Sequence, residues 1–533
     1  MPFSFEVKET DLLGRIGVVR TSGKSIETPC LLPVIHPVSQ AVSTKELKSM
    51  GFSALMTNSY IIRSRRKDEA IRRGIHEMLD FDGILMTDSG GYQVLEYGDI
   101  GIGYQDVASF QADIGSDIAV TLDRPTGYPQ SRKAAIESVT YSRDNAAATL
   151  REYGAKETTW VGPVQGGLFE DLVSKSATAL WKAGFEFLAL GSPVQVMENY
   201  MFADLVRMIF AARGPIPYSM PLHLFGAGHP LTMSLAVATG CDTFDSASYI
   251  LFARSGRYMS RGGVLSLDAM KYLPCSCAVC SKTTVNELRE IDEQERVKRL
   301  SIHNLYLLRE EHEACKEAIV EGRLWDLVEE RSMSHPRLRE AFAELSRRSH
   351  LLVEGTPLLK GRGLLIRSTE DLRRPELLAA QERLSKVLKS QPHGKRALVS
   401  KWGSVPVEKL WIRTPGRTRK HEGSPYGSIG GSVDRYRVHP TLGVYPAELD
   451  FVYPFTQVVM TPLTSDAVEG QTREAAAVLR RLGYASVRKE SDGKRRKTRR
   501  SGTDGKLRSR RIRRVVSPSL RSSSSHLRSP RRP

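Results

Sequence analysis

Three aspartates have the residue type and placement that best suit covalent chemistry in this sequence. Asp88, Asp123 and Asp245 each stand at the end of a short apolar run, in MTDSGG, VTLDRP and DTFDS. One strand-end aspartate taken alone is often no more than a helix N-cap. Three carboxylates gathered at one rim would repel one another unless their tasks differ, so the pattern predicts three different roles.

A cysteine cluster follows at PCSCAVC, where Cys275, Cys277 and Cys280 have the spacing C-x-C-x2-C. With His303 they offer three thiolates and one imidazole, a set that closes a tetrahedral zinc shell and leaves no position for water. The sequence therefore predicts one structural Zn2+. His312 is also near enough to be considered, and an exposed histidine on a charged helix is the alternative for the imidazole.

The elements that must position these residues are short β-rich runs alternating with amphipathic segments. Strands are predicted over residues 30–35, 53–58, 83–88, 118–123, 159–165, 187–192, 221–226 and 241–245. Helices are predicted over 67–79, 106–114, 131–152, 170–183, 196–212 and 230–239. Eight strands with helical crossovers predict an α/β fold of the (β/α)8 barrel type rather than an open sheet.

Chemistry in such a barrel collects at the C-terminal ends of the strands, where the βα loops converge. Besides the three aspartates, these ends carry Gln165, Gly191, Ser192 and the segment 223–226. We therefore expect all of these residues to surround one site.

The predicted organisation has three parts: a barrel with its zinc site (275–303) over residues 1–345, small α+β modules over 346–487, and a basic tail over 488–533. Within the modules, 414–440 is predicted to form loops and 465–482 a helix. The tail holds 18 Lys and Arg against three acidic residues, and thus +15 of the formal net charge of +18. Its few apolar residues predict disorder.

The cysteine content and the apolar runs of the sequence indicate the cellular compartment in which the protein is expected. Six cysteines among 533 residues do not make a disulfide scaffold. Neither a membrane-spanning apolar run nor a signal peptide is recognised, so a cytoplasmic location is expected.

Six short motifs, in the same order, carry a resemblance to a known family: MTDSGGYQ, VQGG, LALGS, HLFGAGHP, DTFDSASY and PCSCAVC. Together they resemble the archaeal tRNA-guanine transglycosylases, closely over residues 5–343 and more loosely to about residue 484. The resemblance implies a (β/α)8 barrel with a zinc site. It also implies a glycosyltransferase that exchanges guanine 15 in the tRNA D-arm for 7-cyano-7-deazaguanine (preQ0), on the route to archaeosine.

The resemblance implies two catalytic residues. Asp245, in the DTFDS motif, would attack ribose C1′ and hold the RNA as a covalent glycosyl-enzyme. Asp88 would act as general acid and base on the departing and arriving bases. Ser89 and Gly90 lie in the same loop, whose glycines allow a close approach to the ligand.

Base recognition is implied for a second group. Asp123 would accept hydrogen bonds from N1–H and the exocyclic amine of a guanine-like base. Tyr92 and Phe225 match positions that sandwich the base, with core packing as the alternative for both rings. The other expected base contacts are Gln165, the backbone at Gly191, and Ser192.

Partners are expected from the same resemblance. Arg254 and Arg257 would hold RNA phosphates, with a solvated surface pair as the alternative. A homodimer is expected, and no membrane. The family's folded PUA-type RNA-binding domain is not recognised after residue 484. The tail then substitutes for it, is a truncated or frame-shifted remnant, or leaves that role to a separate PUA-type chain.

Three rival functions deserve comparison: an archaeosine synthase paralogue, a non-catalytic tRNA-binding subunit, and a barrel enzyme acting on a free nucleoside. Intact motifs around Asp88 and Asp245 argue against the first two. The modules expected to face RNA argue against the third.

Overall fold

The computed structural model describes residues 3–91, 103–390, 396–401, 433–455, 457–460 and 465–489. Tyr92 lies outside them, and so does the tail from residue 490, whose predicted disorder stays a prediction. The chain divides into two units, Met1–Lys489 and Glu490–Pro533. The described residues belong to the first unit.

An antiparallel sheet that the sequence-based prediction lacks begins the chain, with strands β1 (Ser4–Asp11), β2 (Gly14–Thr21) and β3 (Lys24–Thr28). Val19 and Ile26 from this sheet are buried in one cluster with Ala54 and Ile84, residues that begin barrel strands. The sheet therefore covers the end of the barrel at which the strands begin. The loops at the opposite end are left to build a site.

The barrel strands are β4 (Cys30–Pro33), β5 (Ala54–Asn58), β6 (Ile84–Asp88), β7 (Ile118–Val120), β8 (Thr159–Val164), β9 (Leu188–Leu190), β10 (Leu222–Leu224) and β11 (Thr243–Ser246). All pair in parallel, in the order β4-β11-β10-β9-β8-β7-β6-β5. A parallel bridge between Val34 and Met56 brings the first and last strands together. The predicted (β/α)8 barrel is confirmed.

Helices connect these strands over α1 (Thr44–Ser49), α2 (Ser59–Leu79), α3 (Tyr104–Asp113), α4 (Arg132–Tyr153), α5 (Glu170–Lys182), α6 (Pro193–Glu198), α7 (Phe202–Arg213), α8 (Pro230–Ala238) and α9 (Ser248–Arg254). The single helix predicted over 196–212 is wrong. Tyr200, at a φ of 56°, separates α6 from α7. The break escaped prediction because the segment MENYM contains no Gly or Pro to mark it.

A hairpin and further helices follow the barrel: β12 (Arg257–Ser260), β13 (Gly263–Ser266), α10 (Val285–Glu290), α11 (Glu293–Val320), α12 (Leu324–Ser332) and α13 (Pro336–Arg347). Their apolar residues, such as Leu305 and Phe342, are buried in the same core as the barrel helices. None of the described helices is both long and apolar enough to cross a bilayer.

The C-terminal elements are β14 (Leu364–Ile366), α14 (Pro375–Ser390), β15 (Arg396–Lys401), β16 (Val433–His439), β17 (Gly443–Pro446), β18 (Val458–Met460), α15 (Ser465–Arg481) and β19 (Ser486–Lys489). They have a hydrophobic cluster of their own that includes Leu377 and Leu479. The prediction of loops over 414–440 is wrong at β16, where apolar and polar residues alternate as in a strand. The predicted domain boundaries stay predictions.

Side-chain alternation along each strand selects the residues that face the barrel interior. Met86 belongs to the interior cluster, whereas Leu85 packs between the strands and helices. The period of two therefore carries Asp88 inward. On β11, Phe244 packs outward, so Asp245 points inward.

Candidate active site

A cavity of about 960 Å3 opens where the barrel strands end. It brings together all three aspartates predicted to do chemistry. Of the residues expected from the sequence, those that line it are Asp88, Asp123, Gly191, Ser192, Phe225, Asp245 and Arg257.

Only one carboxylate oxygen of Asp245 is hydrogen-bonded to the described residues. Its Oδ1 accepts a hydrogen bond from the backbone N–H of Gly226 at 2.9 Å and lies 3.0 Å from Nε2 of His223. Oδ2 has no hydrogen bond to any described residue. With 8% of the residue exposed, at the cavity wall, this oxygen is free to meet a substrate.

His223 was named in the sequence only as part of the strand end 223–226, and the structure gives it a definite task. Its ring is fully buried, and its Nδ1 lies 2.9 Å from Oγ1 of Thr243. A neutral imidazole that donates from Nε2 to Asp245 accepts at Nδ1 from the threonine hydroxyl, so both nitrogens are satisfied. The contact with His223 thus fixes the orientation of the Asp245 carboxylate, the candidate nucleophile.

Asp88 is positioned by the residue that ends the neighbouring strand. Asn58 donates from Nδ2 to Oδ2 of Asp88 at 2.8 Å, while its Oδ1 caps α2 by accepting from the N–H of Ile61. The cap fixes the orientation of the amide. Asn58 was not singled out in the sequence, although it ends an apolar run, LMTN, just as Asp88 does.

Asp123 is held by Gln165, whose Nε2 donates to its Oδ2 at 2.6 Å. Gln165 is fully buried. Its Oε1 accepts hydrogen bonds from the backbone N–H of Thr126 at 2.9 Å and the hydroxyl of Ser192 at 2.8 Å. Gln165 therefore orients the Asp123 carboxylate. The contact with a base oxygen that we expected for Gln165 from the sequence would have to use the second hydrogen on its Nε2.

Two glycines are required by this arrangement. A Cβ on Gly191 would lie 2.2 Å from Nε2 of Gln165, and one on Gly91 would lie 2.1 Å from Oδ1 of Asp123. In the loop after β6, Ser89 is buried and accepts from the N–H of Gly91 at 3.3 Å, and Gly90 has a φ of 92°. The loop reaches the Asp123 carboxylate only because side chains are absent there.

The pKa values of Asp88 and Asp123 differ. Burial raises the pKa of Asp88 to about 7, and the negative charges of Asp123 and Asp245 add to this effect. Burial raises the pKa of Asp123 to about 6, against the hydrogen bond from Gln165, which lowers it. Near neutral pH, Asp123 is therefore mostly ionised while Asp88 exists in both forms.

The two arginines expected to bind phosphate are both exposed, but only Arg257 lines the cavity. Arg257 stacks its guanidinium 4.8 Å from the centre of the Phe252 ring. The pKa of His36 is lowered by burial and then by the charges of Arg254 and Arg65. Arg257 thus gives the cavity wall an exposed positive charge.

The predicted metal ligands come together as a group. All four ligand atoms of Cys275, Cys277, Cys280 and His303 lie within 4.8 Å of one another. The sulfurs of Cys277 and Cys280 are 3.6 and 3.4 Å from Nδ1 of His303. Tetrahedral coordination of zinc by thiolate and imidazole sets such a pair roughly 3.5 Å apart, so the residues fit the ion.

The histidines of α11 have separate environments. Nε2 of His303 lies 2.9 Å from the carbonyl oxygen of Met259, which leaves Nδ1 as the ligand atom. His312 is instead buried, with Nε2 3.1 Å from Sδ of Met233. Nine residues along a helix turn a side chain by about 180°, so only one of the two can face the cysteines.

Comparison with known proteins identifies the family. Residues 10–337 match the family model described as queuine tRNA-ribosyltransferase. A protein of Aeropyrum pernix described as tRNA-guanine(15) transglycosylase is 40% identical over 457 residues, which are 85% of this chain and 87% of that protein. A protein of Sulfolobus acidocaldarius with the same description is 37% identical over 489 residues, 91% of this chain and 94% of that protein.

A third relative comes from a different organism. The Thermococcus kodakarensis protein, also described as tRNA-guanine(15) transglycosylase, is 42% identical over 394 residues, 73% of this chain and 67% of that protein.

Proposed function

Because the chain belongs to the queuine tRNA-ribosyltransferase family, we propose that it is a tRNA-guanine(15) transglycosylase. It is a pentosyltransferase that replaces guanine in tRNA by another base without breaking the strand. The observation that carries this proposal is the meeting of Asp88, Asp123 and Asp245 on one cavity. The incoming base proposed is 7-cyano-7-deazaguanine, which leads to archaeosine.

The first half of the reaction forms a covalent adduct. Oδ2 of Asp245 bonds to C1′ of the ribose as the bond from C1′ to N9 of guanine breaks, and the electron pair of that bond leaves with guanine. Asp88 in its protonated form donates a proton to the departing base. The hydrogen bonds from His223 and Gly226 to Oδ1 keep the carboxylate oriented throughout.

The second half reverses these steps with a new base. Asp88, now ionised, takes the proton from N9 of the incoming base, and that nitrogen bonds to C1′ as Asp245 leaves. Both carboxyl groups return to their starting forms, so the cycle is balanced. A pKa near 7 suits Asp88 to this double task, because each protonation state is populated at neutral pH.

Asp123 is the proposed recognition group. An ionised carboxylate accepts from both N1–H and the exocyclic amine of guanine, and a base without these donors would leave it buried and unpaired, at a cost of about 1–3 kcal/mol or more. Phe225 lines the same cavity and would stack on the base, with Tyr92 as its proposed partner. Gly191, Ser192 and the Ser89–Gly90 loop complete the proposed contacts.

The RNA reaches the cavity along a charged path. Arg254 and Arg257 are proposed to hold phosphates beside the flipped nucleotide, and the basic tail would add affinity that does not depend on sequence. We further propose a homodimer, with a separate PUA-type chain as an additional RNA-binding partner. A tRNA substrate would place the reaction in the cytoplasm.

The metal proposed for the Cys3His group is Zn2+. Cys275, Cys277, Cys280 and His303 would hold it, and four protein ligands leave no open position, so its contribution is structural. Bound there, it would tie the loop after β13 to α11.

The proposed function is tested by incubating the purified protein with unmodified tRNA and 7-cyano-7-deazaguanine, followed by mass analysis of the nucleosides. We expect the new base at position 15 and released guanine. A chain that binds tRNA without releasing guanine would support the non-catalytic rival, and one that alters only tRNA already carrying the base would support the paralogue.

A further inference from the structure

The cavity continues beyond the residues that the base exchange uses. Its volume of about 960 Å3 is at the upper end for a ligand pocket, and a single planar base fills only part of it. The remaining wall is formed in part by Tyr200, Phe202, His335 and Leu338. No described step of the exchange assigns a task to this wall.

Tyr200 has an unusual backbone for its residue type. It follows Asn199, the C-cap of α6, and has a φ of 56°, in the left-handed region that favours glycine at the end of a helix. Its N–H donates to the carbonyl of Met197 at 3.0 Å. A tyrosine kept in a strained conformation at the wall of a functional cavity points to a use for its side chain.

The ring of Tyr200 is both supported and accessible. Its centre lies 5.1 Å from that of His335 with 31° between the planes, and 5.7 Å from that of Phe202 in an edge arrangement. His335 is itself fixed, because its Nδ1 caps α13 by accepting from the N–H of Arg337 at 3.1 Å. Tyr200 is nevertheless 53% exposed, so a ring face is available to a ligand.

We propose that Tyr200, supported by His335, stacks a nucleobase of the tRNA next to the nucleotide whose base is exchanged. This inference rests on the proposed function. Extracting one base from a stack leaves its neighbour without a partner on that side, and an aromatic side chain restores the lost contact for any base. Arg257, which lines the same cavity, would then hold the backbone, while Tyr200 holds the adjoining base.

The stacking site would act on RNA affinity rather than on chemistry. Tyr200→Ala is expected to raise KM for tRNA about tenfold, which corresponds to about 1.4 kcal/mol, with kcat and KM for the free base within twofold. Tyr200→Phe keeps the ring and should restore KM to within twofold of the wild type. Tyr272→Ala, which removes a tyrosine that is 83% exposed and does not line the cavity, is the matched control.

Fluorescence adds a readout of stacking itself. A tRNA carrying 2-aminopurine beside the target nucleotide should show quenching on binding to wild type and Tyr200→Phe, and much weaker quenching on binding to Tyr200→Ala. The inference is overturned if Tyr200→Ala leaves both KM for tRNA and quenching unchanged, or if it changes the oligomeric state instead. A wild type that exchanges no base would overturn the proposed function, which is a distinguishable result.

Discussion

Nε2 of His223 lies 3.0 Å from Oδ1 of Asp245, on neighbouring parallel strands in which His223 pairs with Thr243. Thr243 and Asp245 are two residues apart and so share a face of β11. One buried ring thereby bridges the Thr243 hydroxyl and the carboxylate of Asp245, the proposed nucleophile. The bridge occupies Oδ1 and leaves Oδ2 for the proposed attack on the sugar.

His223→Leu should therefore lower kcat about 10- to 100-fold, because a hydrogen bond to a charged group contributes about 1.5–3 kcal/mol. His223→Gln can still donate to Asp245 and should retain most of the activity. KM for tRNA should stay within a few-fold in both variants. Steady-state kinetics of the two proteins check this, and equal losses in both would mean that the ring only fills space.

The pH profile of kcat/KM should be bell-shaped. The acid limb, at about pH 6, reflects Asp123, which must be ionised to accept hydrogen bonds from the base. The basic limb, at about pH 7, reflects Asp88, which must be protonated to assist the departing guanine. The two groups interact, so the limbs report apparent values for the pair.

Asp123→Asn offers a check on the assignment of the basic limb. The charge of Asp123 helps to raise the pKa of Asp88, so its removal should move that limb to lower pH. The residual activity of Asp123→Asn measured from pH 5 to 9 decides the point. A basic limb that remains at the same pH in Asp123→Asn would mean that a group other than Asp88 is responsible for it.

Metal content tests the Cys3His group. The protein should contain about one zinc per chain, and Cys277→Ser should lose most of it and unfold at a lower temperature. Cys315→Ala, which removes a buried thiol outside the group, should keep the metal. Elemental analysis of the three proteins is the measurement, and full zinc retention by Cys277→Ser would contradict the site.

The buried charge of Lys360 joins the first sheet to the C-terminal elements. Its Nζ donates to Asp11 at 2.6 Å and to Glu376 at 2.5 Å, and each of these side chains is at most 2% exposed. Lys360→Met leaves two buried carboxylates without this partner and should lower the free energy of unfolding by about 3–5 kcal/mol. Denaturant unfolding measures the change.

Lys386→Met is the matched control for Lys360→Met. Lys386 forms an exposed pair with Glu382, with side chains 74% and 67% exposed. Its loss should cost at most about 0.5 kcal/mol. Similar effects from the two substitutions would refute a special contribution from Lys360.

The sequence predicted the barrel and its strand-end acids because short apolar runs and their final residues are local features. It could not predict that His223 bonds to Asp245, since that contact depends on the register of two strands. The choice between His303 and His312 depended in the same way on the side of α11 that faces the cysteines. The strand β16 was missed because the Gly- and Pro-rich residues before it dominate the local composition.

Trapping of the covalent intermediate tests the central claim most directly. Wild-type protein incubated with tRNA alone and then denatured should carry RNA bonded to the peptide that contains Asp245. Asp245→Asn should form no such adduct and exchange no labelled guanine, while it binds tRNA within a few-fold of the wild type. An adduct or continued exchange in Asp245→Asn would contradict the assignment of Asp245 as the nucleophile.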